Sequence, residues 1–276
     1  MKNPVRTIAF TSGKGGVGKT NTVINLGLSL VYMGKKVLII DADLGLANVD
    51  VLLGLFCKYN TSHVFSGDKT LNEIIIEIPQ GLLIIPASSG IQELTQLDYE
   101  KKLILLNEID SLNYDIDFLF IDTAPGISSN VMYFNIAAQE RVLIVTPEPS
   151  SLTDAYATIK VLSTKYKQRY FKLIVNWVPN SRQAKEIYGK LTRVVNRFLN
   201  GVSIEYLGFI PYDESLKKAV ARQKPVVDIY PNCYCSKKFI DLARNICQQS
   251  VPSYFDGNIK FFWKRLLLDT RTLDTG

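Results

Sequence analysis

Histidine is nearly absent: His63 is the one such residue in the chain. A Ser-His-Asp or Cys-His nucleophilic set needs an imidazole among its partners, and no matching set surrounds this one. Cysteine is sparse too, at positions 57, 233, 235 and 247. No apolar run precedes the first strand-like segment in MKNPVRTIAF, so no secretory leader is expected and the thiols are expected to be reduced. Cys233-Tyr234-Cys235 is too tight for a zinc knuckle, so a structural metal is not expected. No uncharged apolar run reaches the roughly 18 residues that a membrane-spanning helix needs. Charge blocks long enough to be tails are missing, as are internal repeats and low-complexity linkers.

What is present is ordinary in bulk and specific in detail. The 276 residues are 47% hydrophobic and 21% charged, within the range of a globular protein, and long enough for one large α/β domain. The net charge of +6 suits an acidic partner surface, either nucleic acid or anionic lipid. Seven short apolar runs read as strands: TIAFTS (7–12), KVLIIDAD (36–43), LLIIPA (82–87), DFLFIDTAP (117–125), RVLIVTPEP (141–149), KLIVNWVP (172–179) and IEYLGFIP (204–211). They are unbroken rather than alternating, as strands covered on both faces are. Segments with helical spacing lie between them at 20–33, 91–110, 151–168, 181–199, 213–223 and 236–249. Alternation of this kind predicts a doubly wound, mainly parallel sheet flanked by helices.

The stretch TSGKGGVGKTN (11–21) fits G-x-x-x-x-G-K-[ST] from Gly13 to Thr20, after a strand and at the opening of a helix. Gly13, Gly15, Gly16 and Gly18 let backbone N–H groups turn toward phosphate oxygens. Lys19 would neutralise the β- and γ-phosphates and the Thr20 hydroxyl would ligate Mg²⁺. The loop has a second lysine, Lys14, which one phosphate site does not require. Asp122 ends a strand and could hold Mg²⁺ through water, with the Gly126 N–H offered to a γ-phosphate. Asp41 and Asp43 end another strand, and either could orient the attacking water; Asp43, further out, is the favoured catalytic group.

KGGVGKT (14–20) resembles the deviant phosphate loop of the MinD/ParA family of ATPases, marked by the extra lysine. IDADLGLANVD (40–50) is similar to that family's switch I and IDTAPG (121–126) to its switch II. The resemblance implies a P-loop ATPase of slow intrinsic turnover that uses ATP and Mg²⁺ and pairs as a homodimer when ATP is bound. Its nucleotide would lie on Gly13, Lys14, Gly15, Gly16, Val17, Gly18, Lys19, Thr20 and Asn21. Asn176, in VNW (175–177), would take the adenine-binding position, with Pro211 and Asp213 of GFIPYDESL (208–216) beside base and ribose. Lys14 would reach into the partner's site and act there beside Lys19 and Asp43. IPASSGIQEL (85–94), TPEPSSLTDAYATIKVL (146–162) and YDESLKKAVARQKPVVDIYP (212–231) look like the FlhG branch (FleN, YlxH), regulators of flagellar number and placement. The branch implies an FlhF-like GTPase and flagellar switch or regulatory proteins as partners. Its members often carry an N-terminal DQAxxLR-type motif that stimulates the GTPase. The residues before TIAFTS lack it, so direct stimulation is not implied.

After a domain spanning 1–250, residues 251–276 form a distinct appendage. Ile259, Phe262, Trp263, Leu266 and Leu267 recur at i, i+3, i+4, i+7 and i+8, one helical face, with Lys260, Phe261, Lys264, Arg265 and Leu268 elsewhere. An apolar aromatic face with basic neighbours can lie in an anionic membrane interface. MinD-like proteins use such a helix, which implies a cytoplasmic protein peripheral to the inner face of the cell membrane. Three functions are open: a membrane switch for flagella; a DNA-partitioning or division-site ATPase; and an iron–sulfur carrier, prompted only by Cys233 and Cys235. The appendage and the branch segments favour the first, and nucleic acid is not the expected partner.

Overall fold

The computed structural model describes residues 5–44, 48–88, 97–249 and 260–261. All seven apolar runs are strands there. The chain begins with β1 (Arg6–Thr11), α1 (Lys19–Tyr32), β2 (Val37–Ala42) and α2 (Val49–Leu53). It continues through α3 (Thr61–Phe65), α4 (Leu71–Ile74), β3 (Ile76–Glu77), β4 (Leu83–Ile85) and α5 (Tyr99–Asp110). Next come β5 (Phe118–Thr123), α6 (Ser129–Ala137), β6 (Glu140–Val145) and α7 (Pro149–Thr164). The last elements are β7 (Tyr170–Val178), α8 (Ser181–Phe198), β8 (Ser203–Pro211), α9 (Glu214–Ala221), α10 (Val226–Ile229) and α11 (Tyr234–Gln248).

The strands form one sheet in the order β3-β4-β2-β5-β1-β6-β7-β8. Every neighbouring pair is parallel except β3 with β4. Successive side chains leave opposite faces of a strand, which is why the runs had to be apolar throughout. Ile8, Phe10, Ile39 and Phe120 pack with α1 and α11 on one face. Ala9, Ile40 and Ile121 pack with α3 to α6 on the other, and Leu143, Val145 and Leu173 with α7 and α8 beside them. Strand order reverses at β1, so the loop after β1 opens at the crevice where such sheets take ligands.

Two expectations are refined. The helix expected over 91–110 begins only at Tyr99, because Asp98 is extended and caps it and Leu97 is not helical; 89–96 lie outside the described residues. The helix α6 was not expected. Its sequence SNVMYFNIA is apolar on most sides, so it carries no helical stripe, and it is correspondingly buried. Of the C-terminal stretch, Ile259, Phe262, Trp263, Leu266 and Leu267 lie outside the described residues. Phe261, set apart from that apolar face, is fully buried between Tyr133 and Phe134. Its N–H donates to the Ala137 carbonyl, and Lys260 Nζ donates to the Ile136 and Ala138 carbonyls at the end of α6. Among the described residues no helix is long and apolar enough to cross a membrane.

Candidate functional site

The loop from Ser12 to Gly18 joins β1 to α1, and its glycines serve different ends. A Cβ at Gly13 would lie 2.2 Å from the Asp154 carbonyl carbon, so this glycine lets the loop press against α7. Gly18 caps α1 at φ 82°, and a Cβ there would lie 2.4 Å from Asn176 Nδ2. No side chain caps α1 and its first turn holds no acid. Its open N–H groups and positive dipole end therefore face the loop cavity unopposed.

Lys19 is buried, and its Nζ donates to Asp122 Oδ1 at 2.5 Å. The other oxygen, Asp122 Oδ2, is buried without a hydrogen-bond partner. That orphan acceptor is the kind of oxygen a hydrated Mg²⁺ prefers, and the Thr20 hydroxyl, which follows Lys19 in the loop cavity, is another, so the residues fit the ion. Asp41 faces Asp122 across the β2–β5 ladder. It accepts N–H groups from Asp43 (3.1 Å), Asn48 (2.9 Å) and Val49 (3.1 Å), which fixes the turn after β2. Burial, then the Asp122 carboxylate, push its carboxyl up against those N–H groups. Asp41 is thus a structural clasp, and Asp43 is the aspartate that lines the loop cavity.

That cavity, about 480 Å³, is lined by the loop residues Lys14 to Asn21 together with Asp43, Asn48, Pro125 and Trp177. A second cavity of about 480 Å³ adjoins it, sharing Gly18, Asn21 and Trp177. Its walls are mostly apolar: Ile210, Tyr212, Leu216, Val220 and Phe239, with Asp213 at the rim. Apolar space beside a phosphate cradle suits a purine. Pro211 pairs with Val178 at the end of β8 and is not among the lining residues; its neighbours Ile210 and Tyr212 are. Asn176 lines this cavity too, and its Nδ2 donates to the Val17 carbonyl at 2.8 Å, tethering the loop. Asp213 caps α9, accepting from Ser215 N and from Cys235 N. Burial pushes its carboxyl up, but those N–H groups outweigh this and hold it below the usual range.

Three features were not foreseen. Gly126 N–H donates to the Ser12 carbonyl at 2.8 Å, so it is engaged rather than free for a phosphate. Lys14 Nζ pairs with the Glu148 carboxylate and donates to Ser150 Oγ (3.1 Å) at the start of α7, away from Lys19. Trp177 is a bulge: Asn176 pairs with Ile210 and Val178 with Pro211, leaving it unpaired at φ 60° with its indole between the two cavities. Its placement follows from the backbone, and the sequence signal was only a tryptophan where the strand VNWVP meets the crevice edge.

Glycine loops that open onto an uncapped helix at the carboxyl edge of a parallel sheet define the P-loop nucleotide-binding proteins. A family model described as an AAA domain matches residues 5–172, and one described as the NUBPL iron-transfer P-loop NTPase matches 101–247. The antiactivator FleN of Pseudomonas aeruginosa is 41% identical over 96% of this chain and 94% of that protein. The flagellum site-determining protein YlxH of Helicobacter pylori is 35% identical over 96% and 91%. The solved MinD of Pyrococcus horikoshii with Mg-ADP is 27% identical, with a TM-score of 0.73 over 89% of this chain and 97% of that one. The chain belongs to the MinD/ParA family of P-loop ATPases and, within it, resembles FleN and YlxH.

Proposed function

We propose that this ATPase is a dimerising switch that acts at the inner face of the cell membrane to set flagellar number or placement. The observation that carries the pairing is the position of Lys14. Its own phosphate site already has Lys19, while Lys14 is held outward on Glu148 and Ser150 with its side chain 40% exposed. A second copy laid against the loop edge would offer its nucleotide to that cation. The flagellar reading draws on the similarity to FleN and YlxH along nearly the whole chain. An FlhF-like GTPase and flagellar switch or regulatory proteins are the partners this reading names.

In this reading Gly13 to Asn21 cradle the phosphates, Lys19 leaves Asp122 for the β- and γ-oxygens, and Thr20 with Asp122 hold Mg²⁺. When bound, the ion draws charge from the phosphate oxygens. Asp43 orients the attacking water, and Lys14 of the facing copy stabilises charge that develops in the transition state. The Gly126 N–H exchanges the Ser12 carbonyl for the γ-phosphate, which couples nucleotide state to α6. Ile210, Tyr212, Asp213 and Asn176 bound the base and ribose. Residues 251–276 form the membrane segment, through Ile259, Phe262, Trp263, Leu266 and Leu267. Two weak anchors in one dimer bind far better than one.

Size analysis with ATP and with ADP tests the reading. Asp43→Ala should bind ATP and accumulate as dimer without hydrolysis, and Lys14→Ala should bind ATP yet stay monomeric. A Lys14→Ala protein that dimerises normally with ATP would remove the cross-site role.

A further inference from the structure

The positive charge of this chain is concentrated. Of 32 Lys and Arg against 26 Asp and Glu, ten and one fall within residues 155–204, which leaves 22 against 25 elsewhere. That segment runs from within α7 through β7 and α8 to the start of β8; its one acid, Glu186, is paired with Arg182, and α7 holds one more, Asp154, just before it. Along α8, Arg182, Lys190, Arg193 and Arg197 fall at i, i+8, i+11 and i+15, one face, all exposed. The opposite face is buried through Ala184, Ile187, Leu191 and Val195. Lys172 is buried on Glu140 and Arg169 is half-buried, but the other eight cations of the segment are exposed.

The lower end of this flank is distinct. Because α7 and α8 each follow a parallel strand, their C-terminal ends lie at the amino edge of the sheet, opposite the phosphate loop. Lys165 and Lys167 are exposed there, and Arg169 Nη1 donates to the Asn200 carbonyl, joining the two turns. Beside these cations stand Tyr170 (59% exposed) and Phe198 (62%), with the Arg197 guanidinium 5.4 Å from the Phe198 ring centroid. The same edge receives two residues of the C-terminal stretch, Lys260 and Phe261, which meet the end of α6.

We propose that the α7–β7–α8 flank is a docking face for anionic phospholipid headgroups, rimmed by Tyr170 and Phe198. The proposal rests on the membrane reading above and adds to it a contact separate from residues 251–276. Each cation near an anionic leaflet adds attraction of about 1 kcal/mol, and several together give the charge selectivity that an apolar anchor lacks. Exposed aromatic rings beside cations are the composition of a membrane–water interface. A shared sheet edge lets flank and C-terminal stretch meet one surface together. Nucleic acid would use the cations but has no need of that shared edge.

The test is sedimentation of the full chain with ATP and Mg²⁺ on phosphatidylcholine vesicles and on vesicles of equal phosphatidylcholine and phosphatidylglycerol. The flank variant is Lys190→Glu with Arg193→Glu and Arg197→Glu, all exposed and remote from the loop; retained ATP-dependent size change reports its fold. It should bind the anionic vesicles more than about tenfold less well, by the attraction per cation above, and lose the difference between the two vesicle types. Unchanged vesicle binding by this variant overturns the proposal. So does a loss confined to duplex DNA, which would make the flank a nucleic-acid face. Phe262→Glu separates the two readings. If it alone abolishes binding, the flank proposal fails and the membrane reading stands. If wild type binds no vesicle, both fail.

Discussion

Gly18 can sit where it does only without a side chain. Its φ of 82° is left-handed and the Asn176 amide fills the space a Cβ would need. Gly18→Ala should therefore distort the loop by about 1–2 kcal/mol of backbone strain plus the clash, and abolish ATP binding. Gly189, inside α8 with nothing within 4 Å of a Cβ, is the counterpart. Gly189→Ala should stabilise the fold by about 0.5–1 kcal/mol and leave ATP binding alone. Calorimetric titration and thermal melting of both variants check the pair. At this scale the sequence is readable where spacing is local. The run from Gly13 to Thr20 announces itself because backbone and side chain act within one turn. The bonds Asn176 to Val17, Gly126 to Ser12 and Lys14 to Glu148 each join distant segments, and no spacing rule encodes them.

Among elements, one buried ion cluster fastens three strands and a helix. Arg6 of β1 donates through Nη2 to Glu140 Oε2 of β6 (2.9 Å), and Lys172 of β7 reaches the same oxygen at 2.7 Å. Arg6 also donates to the Ile246 carbonyl in α11. Burial pushes the Glu140 carboxyl up, but Arg6 and Lys172 outweigh it and hold it below the usual range. Its contribution to stability is therefore present above the ordinary Glu value near 4.3 and lost as pH falls through the lower folded value. Glu140→Gln leaves two buried cations uncompensated and should cost about 3–5 kcal/mol at neutral pH. It should also flatten the acid limb of stability against pH, which denaturant melts at neutral and acid pH would show; an unchanged acid limb would assign that limb to other carboxylates. The strands these residues join were legible as unbroken apolar runs. The helix α6 was not, because burial on most sides erases periodicity, and the antiparallel β3 of two residues is too short to show any.

For the whole molecule, Phe261 decides how the end of the chain relates to the domain. Its ring is buried with Tyr133 and Phe134 at the foot of α6, the helix that follows Asp122 and Gly126. Phe261→Ala should lower stability by about 3–5 kcal/mol, measurable in a denaturant melt. A change near zero would mean the ring is normally elsewhere. Helical spacing grouped Phe262 and Trp263 as the apolar face and left Phe261 out. The rings that bury Phe261, at 133 and 134, lie 128 and 127 residues away in sequence, beyond any periodic signal.

The sheet also limits how copies of this molecule can join. At one edge β3 offers two residues, already used antiparallel against β4. At the other, β8 is offset from regular pairing at Leu207 and beside the Trp177 bulge, and Gly208 takes φ 151°. Short or bulged edges are poor templates for another chain, so strand-by-strand growth into a fibre is disfavoured. A face-to-face contact through the loop edge has the opposite character. The pairing proposed above would be self-complementary, close once both halves are engaged, and leave no open end for a third copy.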